Sequence, residues 1–144
     1  KNRTASEVRT VFNKFNGNLG ENGCVSYLFD KIGSIVYPSS SGEIDNFIEF
    51  SIENDTKDII ENNDFYEIIT NLENFNEITE NFTEKFGHPE SANIIWKAKD
   101  LVKVSENSVL TTYKLIAGLD DCEDVQNVFY NFEFDEKDLA LIEQ

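Results

Sequence analysis

Few residues of this sequence have the types and spacing that catalysis or metal binding requires. His88 is the only histidine, so no second imidazole is available for a metal site or a catalytic triad. Its place in Gly87-His88-Pro89 predicts an exposed turn after a helix. The two cysteines, Cys24 and Cys122, are far apart and form no C-x-x-C pair, so we expect both to be reduced. We therefore predict no catalytic residue, no metal ligand and no cofactor.

Two short motifs have alternative interpretations. The glycines of residues 17–23 suggest a phosphate-binding loop, but such a loop leaves a strand and opens a helix. Here a predicted helix enters and a predicted strand leaves, which favours a structural turn. The run Asp120-Asp121-Cys122-Glu123-Asp124 has the acidic density of a divalent-cation site. It lacks the alternating ligands and central glycine of a calcium loop, so a solvated connector is the favoured interpretation.

Composition and charge limit the class of protein. The 144 residues include 28 acidic and 12 basic side chains, for a formal net charge of −16. Close to a third of the residues are Leu, Ile, Val or Phe, enough for a folded core. No apolar run is long enough to span a membrane and no signal-peptide core is present, so a soluble cytosolic protein without a membrane partner is expected. Because the acidic excess repels polyphosphate, a protein that coats DNA or RNA with its whole surface is disfavoured.

The charge is unevenly distributed along the chain. Residues 1–32 hold five basic and three acidic side chains, whereas residues 33–97 hold three basic and fourteen acidic ones. Residues 98–144 hold four basic and eleven acidic ones. Only the first segment therefore suits contact with a phosphate backbone. Either its bases contact phosphate, or they only solubilise one helix.

Hydrophobic spacing predicts the elements that would position these bases. Apolar residues at helical spacing predict a first helix over residues 4–16, opened by a capping box of Thr4 with Glu7. Gly17 is expected to end this helix in the left-handed conformation. Alternating apolar residues then predict a strand over Cys24–Phe29.

The middle segment, residues 33–97, predicts the order βαββαβ. The strands are expected at residues 34–37, 57–61, 65–70 and 92–96, and the helices at residues 40–53 and 70–86. Capping boxes of Ser40 with Glu43 and of Thr70 with Glu73 would open the two helices. A turn at residues 62–64, rich in residues that tolerate positive φ, would join the second and third strands. This order predicts a ferredoxin-like plait, a four-stranded antiparallel sheet with two helices on one face.

The end of the chain resumes the pattern of the beginning. A helix is predicted over residues 105–118, a long strand over Val125–Phe134 and a weak acidic helix over residues 135–144. A helix and a strand on each side of the middle segment predict a second plait. Its opening strand would lie before Lys1, or the segment Ile94–Val104 would substitute for part of it. The predicted fold is thus α+β, with two ferredoxin-like (βαββαβ) plait domains. Residues 1–32 plus 98–144 would form a discontinuous domain, into which the domain of residues 33–97 is inserted.

Two stretches of the sequence resemble the YebC family. The first is Asn2-Arg3-Thr4, Glu7-Val8-Arg9, Gly17-Asn18-Leu19-Gly20, Gly23 and Tyr27-Leu28-Phe29. The second is the run from Asp120 to Val128, with Tyr130-Asn131. Asn16-Gly17 and Lys31-Ile32-Gly33 depart from the Gly-Gly and Lys-Lys-Gly usual in the family, so the basic patch has one lysine fewer.

The resemblance implies both an architecture and a function. Family members are described as bacterial transcriptional regulators, and a mitochondrial relative is the translational activator of cytochrome c oxidase. A basic N-terminal helical domain, which would precede Lys1 and supply most of the nucleic-acid affinity, comes before two plait domains. The resemblance thus implies a non-enzymatic gene-expression factor that binds DNA as a regulator, or RNA and the ribosome as a translation factor, with no small-molecule substrate. Its compartment would be the cytoplasm, or the mitochondrial matrix for an organellar relative.

Seven side chains are predicted to contact nucleic acid. They are the five bases of the first segment and two amides that could bond to the backbone or base edges, namely Lys1, Arg3, Arg9, Lys14, Lys31, Asn13 and Asn18. RNA contact through shape and phosphate tolerates the acidic remainder better than sequence-specific reading of duplex DNA does. The alternative is an acidic interaction module, in which residues 33–97 dock a basic partner such as a ribosomal protein.

Overall fold

The chain folds as an α+β protein in two compact units, which confirms the predicted class. The structure is a computed structural model that describes residues 2–143. Unit 1 comprises Lys1–Asp30 with Lys97–Gln144, and unit 2 comprises Lys31–Trp96. The chain passes from one unit to the other within two strands. No helix among the described residues is both long and apolar enough to cross a membrane.

Unit 2 contains the larger sheet, whose helices and strands follow the predicted order. They are β1 (Phe29–Pro38), α2 (Ile44–Glu53), β2 (Asp58–Glu61), β3 (Phe65–Thr70), α3 (Phe75–Phe86) and β4 (Ser91–Ala98). The sheet order is β2-β3-β1-β4. The β1–β3 and β2–β3 pairs are antiparallel, with Ile35 opposite Ile68 and Ile59 opposite Ile68. These three isoleucines therefore lie side by side on one face of the sheet.

Aromatic rings fill the core of unit 2. Phe47 of α2 and Phe82 of α3 are fully buried beside Tyr37 of β1. Phe47 stacks on Phe86 with ring centroids 3.9 Å apart, and Phe50 meets Phe82 edge to face at 4.8 Å. The apolar residues recur every three or four positions in both helices, which places these rings on one stripe against the sheet. Aromatic packing thus fixes both helices to the sheet.

Two tyrosine hydroxyls of this core donate to the main chain. The Tyr37 hydroxyl donates to the carbonyl of Gly87 at 2.8 Å, and the Tyr66 hydroxyl donates to that of Gly42 at 3.0 Å. Burial raises the pKa of Tyr37 above its usual value. Gly33 of β1 leaves room for Phe75 and Thr70, because a Cβ there would lie 2.3 Å from each side chain. The sheet and α3 therefore approach closely at this point.

Unit 1 is mainly helical in its described residues. Its helices are α1 (Asn2–Lys14), α4 (Val109–Asp120) and α5 (Glu136–Glu143), and its strands β5 (Val102–Lys103) and β6 (Phe132–Glu133) form a two-stranded parallel sheet. Three rings follow one another along the β6 segment: Tyr130 stacks on Phe132 at 4.3 Å, and Phe132 meets Phe134 at 5.2 Å.

Two predicted strands of unit 1 are wrong. Residues 24–28 form turns and a short 3₁₀ helix, in which Ser26 N–H donates to Gly23 and Leu28 N–H donates to Val25. Gly23 has φ of +78° and turns the chain there, and Tyr27 is 70% exposed. The alternating apolar residues of this segment therefore do not form the buried face of a strand. Only Phe132 and Glu133 of the predicted long strand 125–134 are in a strand, because β5, their partner, is itself two residues long.

The predicted capping boxes are also wrong. Thr4 lies inside α1, and its hydroxyl donates to Asp124. The helices α2 and α3 begin after Glu43 and Asn74 without a side-chain cap, and the hydroxyl of Thr70 donates to the carbonyl of Asn71.

Two predicted turns use different backbone conformations from those expected. Asn16, not Gly17, is the left-handed residue after α1, with φ of 64°. The turn at residues 62–64 joins β2 and β3 as expected, yet its residues have no positive φ. Instead, the Asn62 side-chain oxygen accepts from the N–H groups of Asp64 and Phe65, both at 2.9 Å. An Asx turn therefore replaces the left-handed geometry.

A reciprocal cap does form at α5. The Asp138 N–H donates to the Asp135 carboxylate at 2.9 Å, and the Asp135 N–H donates to the Asp138 carboxylate at 3.0 Å. Lys103 of β5 pairs with the same Asp135 carboxylate. The hydrogen bond from Lys103, and then that from the Asp138 N–H, lowers the pKa of Asp135 below its usual 3.8. Asp135 therefore links the start of α5 to the small sheet.

The aromatic core predicts the cost of one truncation. Phe82→Ala removes a ring that is 0% exposed, so the free energy of unfolding should fall by about 3–5 kcal/mol in urea denaturation. Ile52→Ala is the matched control on α2, because Ile52 is 72% exposed and should change stability by less than about 1 kcal/mol. Equal losses in the two variants would contradict this account of the core.

The Asp135 cap predicts a pH dependence for α5. Because folding lowers this pKa, the carboxylate stabilises α5 fully above its unfolded pKa, near 3.8, and loses that effect as pH falls through the lower folded value. The protection factors of the α5 amides, which are corrected for the intrinsic pH dependence of amide exchange, should therefore fall below pH 3.8. Asp135→Ala should accelerate exchange at neutral pH, whereas Asp135→Asn keeps a cap acceptor and should lie between. Unchanged α5 protection in Asp135→Ala would show that the cap does not hold this helix.

Candidate functional site

A close approach between α1 and α4 organises unit 1. Gly118 of α4 faces α1, and a Cβ there would lie 2.8 Å from Val11 Cγ1 and 3.5 Å from the Phe15 ring. Gly17, just after α1, also allows close packing, because a Cβ there would lie 2.8 Å from the Phe12 ring and 3.7 Å from Leu115. The apolar stripe of α1 therefore packs on α4, and the opposite side of α1 is exposed.

The structure places four of the predicted nucleic-acid residues on this exposed side of α1. Arg3, Arg9, Asn13 and Lys14 are all exposed. At 100° per residue, Arg3 and Lys14 fall on one line along the helix, with Glu7 between them. Arg9 and Asn13 are four residues apart and share a second line, about a third of a turn from the first. The cations thus form two edges of one polar face.

The other three predicted residues lie away from this face. Asn18 is exposed in the loop after α1. Lys31 belongs to unit 2, where its ammonium lies 5.6 Å from the centre of the Trp96 ring, a cation–π contact. Lys1 lies outside the described residues. The structure therefore groups Arg3, Arg9, Asn13 and Lys14, and these residues are the core of the candidate interface.

Acidic residues of the connector after α4 lie against the N-terminal half of α1. The Thr4 hydroxyl donates to the Asp124 carboxylate. The turn itself is ordered: the N–H groups of Asp121 and Cys122 donate to Ala117 and Leu119, both at 3.1 Å, and that of Val125 donates to Cys122 at 3.0 Å. Arg3 therefore lies near acidic side chains, whereas Arg9 lies on the other edge of the polar face of α1.

A groove lies between α1 and this turn. It has a volume of about 650 Å³ and is lined by Arg3, Ser6, Glu7, Thr10, Val11, Gly118, Asp121 and Cys122. The Cys122 side chain is 8% exposed, and its thiol donates to the Gly118 carbonyl at 3.4 Å. Charged side chains on the rim and small or apolar residues on the floor give the groove a mixed character.

Unit 2 has a second, smaller groove of about 450 Å³. Its walls come from the end of α2 and the C-terminal half of α3, namely Phe50, Glu53, Asn54, Asn81, Glu84 and Lys85. The Asn81 amide donates to the Asn54 side-chain oxygen at 2.8 Å, and Lys85 lies 4.8 Å from the centre of the Phe50 ring. Two glutamates and one lysine give this groove a slightly acidic rim.

Sequence reasoning located the exposed cations but missed the groove. The acidic run at residues 120–124 is evident from composition, yet nothing in the sequence pairs it with α1, 120 residues away at the Thr4–Asp124 contact. The small residue at Gly118 within a helical pattern was the available signal, because a glycine inside a helix often marks a close approach. Among residues 2–143, no three His, Cys, Asp or Glu side chains converge as metal ligands would.

The α1–α4 contact predicts a specific rescue. Gly118→Val places methyl groups against Val11 and should lower the free energy of unfolding by about 1–3 kcal/mol. Adding Val11→Ala should make the double variant more stable than the sum of the single changes implies, measured by a thermal or urea double-mutant cycle. Lys114→Val, on the exposed side of α4, controls for helix propensity. Strict additivity would contradict direct packing of the two residues.

Comparisons with known proteins identify the family. Residues 1–132 match the family described as the TACO1/YebC second and third domain. The chain is 41% identical over 140 residues to a protein of Wolbachia pipientis subsp. Culex pipiens (strain wPip) named "Probable transcriptional regulatory protein", with 95% of this chain and 57% of the relative covered. It is 38% identical over 149 residues to a protein of the same description from Maricaulis maris (strain MCS10), with 99% of this chain and 59% of that protein covered.

A solved structure agrees with these relatives. The crystal structure of "a Conserved Hypothetical Protein Aq1575 from Aquifex Aeolicus" matches with a TM-score of 0.85 and 38% identity, over 94% of this chain and 56% of that one. The chain thus spans between half and two thirds of the length of these relatives. On the extent and identity of these matches, the chain belongs to the TACO1/YebC family, as the sequence motifs had indicated.

Proposed function

We propose that this chain is part of a non-enzymatic gene-expression factor that binds nucleic acid through the polar face of α1. The observation that carries the proposal is the set of exposed cations on the polar face of α1, Arg3, Arg9 and Lys14, in a chain whose relatives are named "Probable transcriptional regulatory protein". Phosphate contact needs exposed guanidinium and ammonium groups on a rigid element, and α1 is fixed by its packing on α4.

RNA is the favoured target of this face. Few side chains of α1 are available to reach base edges, and Arg3 shares its surroundings with Glu7 and Asp121. Contact through phosphate and shape needs less direct base readout than sequence-specific recognition of a duplex does. The proposed role is therefore that of an RNA or ribosome-associated translation factor, with DNA-binding regulation as the alternative within the same class. Bacterial relatives support a cytoplasmic setting.

The architecture proposed for this role is that of the family. We infer that unit 2 is a ferredoxin-like plait, supported by its βαββαβ order and its sheet order β2-β3-β1-β4. The division at residues 30/31 and 96/97 supports the assignment of unit 2 as a domain inserted into unit 1. A plait in unit 1 has less support, because the sheet formed by its described residues has two strands.

A salt titration with single-residue variants tests the proposal. Affinity of the full chain for a labelled single-stranded RNA and for a duplex DNA should fall linearly in log salt. Arg9→Ala should weaken RNA binding and reduce the salt slope by about 1, and Arg3→Ala should act less strongly because acids already surround it. Lys57→Ala in unit 2 makes the same charge change away from α1 and should leave the slope unaltered.

Three outcomes of this titration decide between the alternatives. A loss with Arg9→Ala on RNA but not on DNA supports the translation role, and the reverse supports DNA binding. If Arg9→Ala and Lys57→Ala act alike, α1 is not the interface and the proposal fails. Binding of a basic protein that responds to acidic substitutions in residues 33–97 would instead favour the rival role of an acidic docking module.

A further inference from the structure

The groove between α1 and the acidic turn has an apolar floor. Val11, Gly118 and the buried Cys122 side chain form this floor, and the Cys122 thiol is already bonded to the Gly118 carbonyl. Because Gly118 has no side chain, α1 lies close to α4 and the floor is smooth. A surface of this kind suits an aliphatic chain rather than a planar base or a hydrated ion.

The rim of the groove is acidic on balance. Among the described residues that line it, Glu7 and Asp121 are acidic and Arg3 is the one cation. Asp124 is held at the same end of α1 by the Thr4 hydroxyl, and the backbone hydrogen bonds of the turn keep its carboxylates in place. A phosphate entering this groove would meet more carboxylates than cations. The groove therefore does not extend the nucleic-acid face.

We propose that this groove is a docking site for a basic peptide segment of a partner protein. The aliphatic stem of a lysine or arginine would lie on Val11, Gly118 and Cys122, while its charged head would reach the carboxylates of Glu7 and Asp121. Charge complementarity selects this occupant over a second copy of the chain, which itself carries a net charge of −16. The site goes beyond the nucleic-acid role, because it engages protein rather than phosphate and uses the opposite charge.

The first test separates docking in the groove from general attraction to an acidic protein. The probe is a short fluorescein-labelled peptide of alternating lysine and alanine, titrated with the full chain by fluorescence anisotropy. Thr10→Trp places a large side chain at the rim, where the exposed Thr10 hydroxyl donates to the carbonyl of Ser6 within α1. Ala5→Trp is the matched control, since Ala5 is exposed on the same helix but does not line the groove. Circular dichroism verifies that both variants fold.

The expected result is a loss of affinity of about tenfold for Thr10→Trp and less than about twofold for Ala5→Trp. Both variants keep the net charge, so a difference between them reports the groove itself. Absence of peptide binding, or equal affinities for the two variants, would overturn the proposal. It would also be overturned if Thr10→Trp abolished binding of a single-stranded RNA while peptide binding remained.

A second pair of variants tests the carboxylates. Glu7→Gln with Asp121→Asn should weaken peptide binding by about tenfold and flatten its salt dependence. Glu77→Gln with Glu80→Gln removes the same charge from exposed positions of α3 in unit 2 and should have a much smaller effect. Arg3→Ala should strengthen binding, because it removes a cation from the rim. Equal losses from the two paired variants would show that net charge alone attracts the peptide.

Discussion

The packing of α1 on α4 through Gly118 is the constraint on which the surface features of unit 1 depend. A side chain at this position would push Val11 away and separate the helices. Since the apolar stripe of α1 is used in this contact, its polar side must face outward, and its cations with it. The same contact brings the N-terminal half of α1 beside the turn after α4, where the Thr4 hydroxyl meets Asp124. The cationic face and the acidic groove are therefore two results of one helix contact.

The cations of α1 lie on two lines of its surface that differ in their surroundings. Arg9 and Asn13 share a line of α1 that does not border the groove, whereas Arg3 shares its surroundings with Glu7 and Asp121. In a chain with a net charge of −16, a phosphate-binding face must be local, and screening confines its influence to about 10 Å at ordinary salt. Helix α1 can thus present a surface that attracts anions beside a surface that attracts cations.

Much of unit 2 could be predicted from the sequence, because its elements are long and strongly periodic. The helix ending at Glu53 and the strand Phe65–Thr70 lie where the apolar spacing placed them. The strands of unit 1 are harder to predict, because the alternating apolar residues Val25 and Tyr27 are exposed and do not form the buried face of a strand. Capping could not be inferred from residue type alone, since Thr4 bonds to a residue distant in sequence. The exposed cations of the candidate site were predictable, but the groove depends on a contact between segments that no local pattern links.

The hydrogen bond from the Lys99 N–H to the Leu28 carbonyl, at 2.9 Å, lies beside the points where the chain leaves unit 1 and returns to it. The strands that carry the chain across, β1 and β4, are neighbours in the sheet. The entry and exit of unit 2 are therefore close in space, as in domains that tolerate insertion into a host fold. In evolutionary terms, such a junction lets a whole module be acquired, exchanged or deleted by recombination at two sites, with little remodelling of the host.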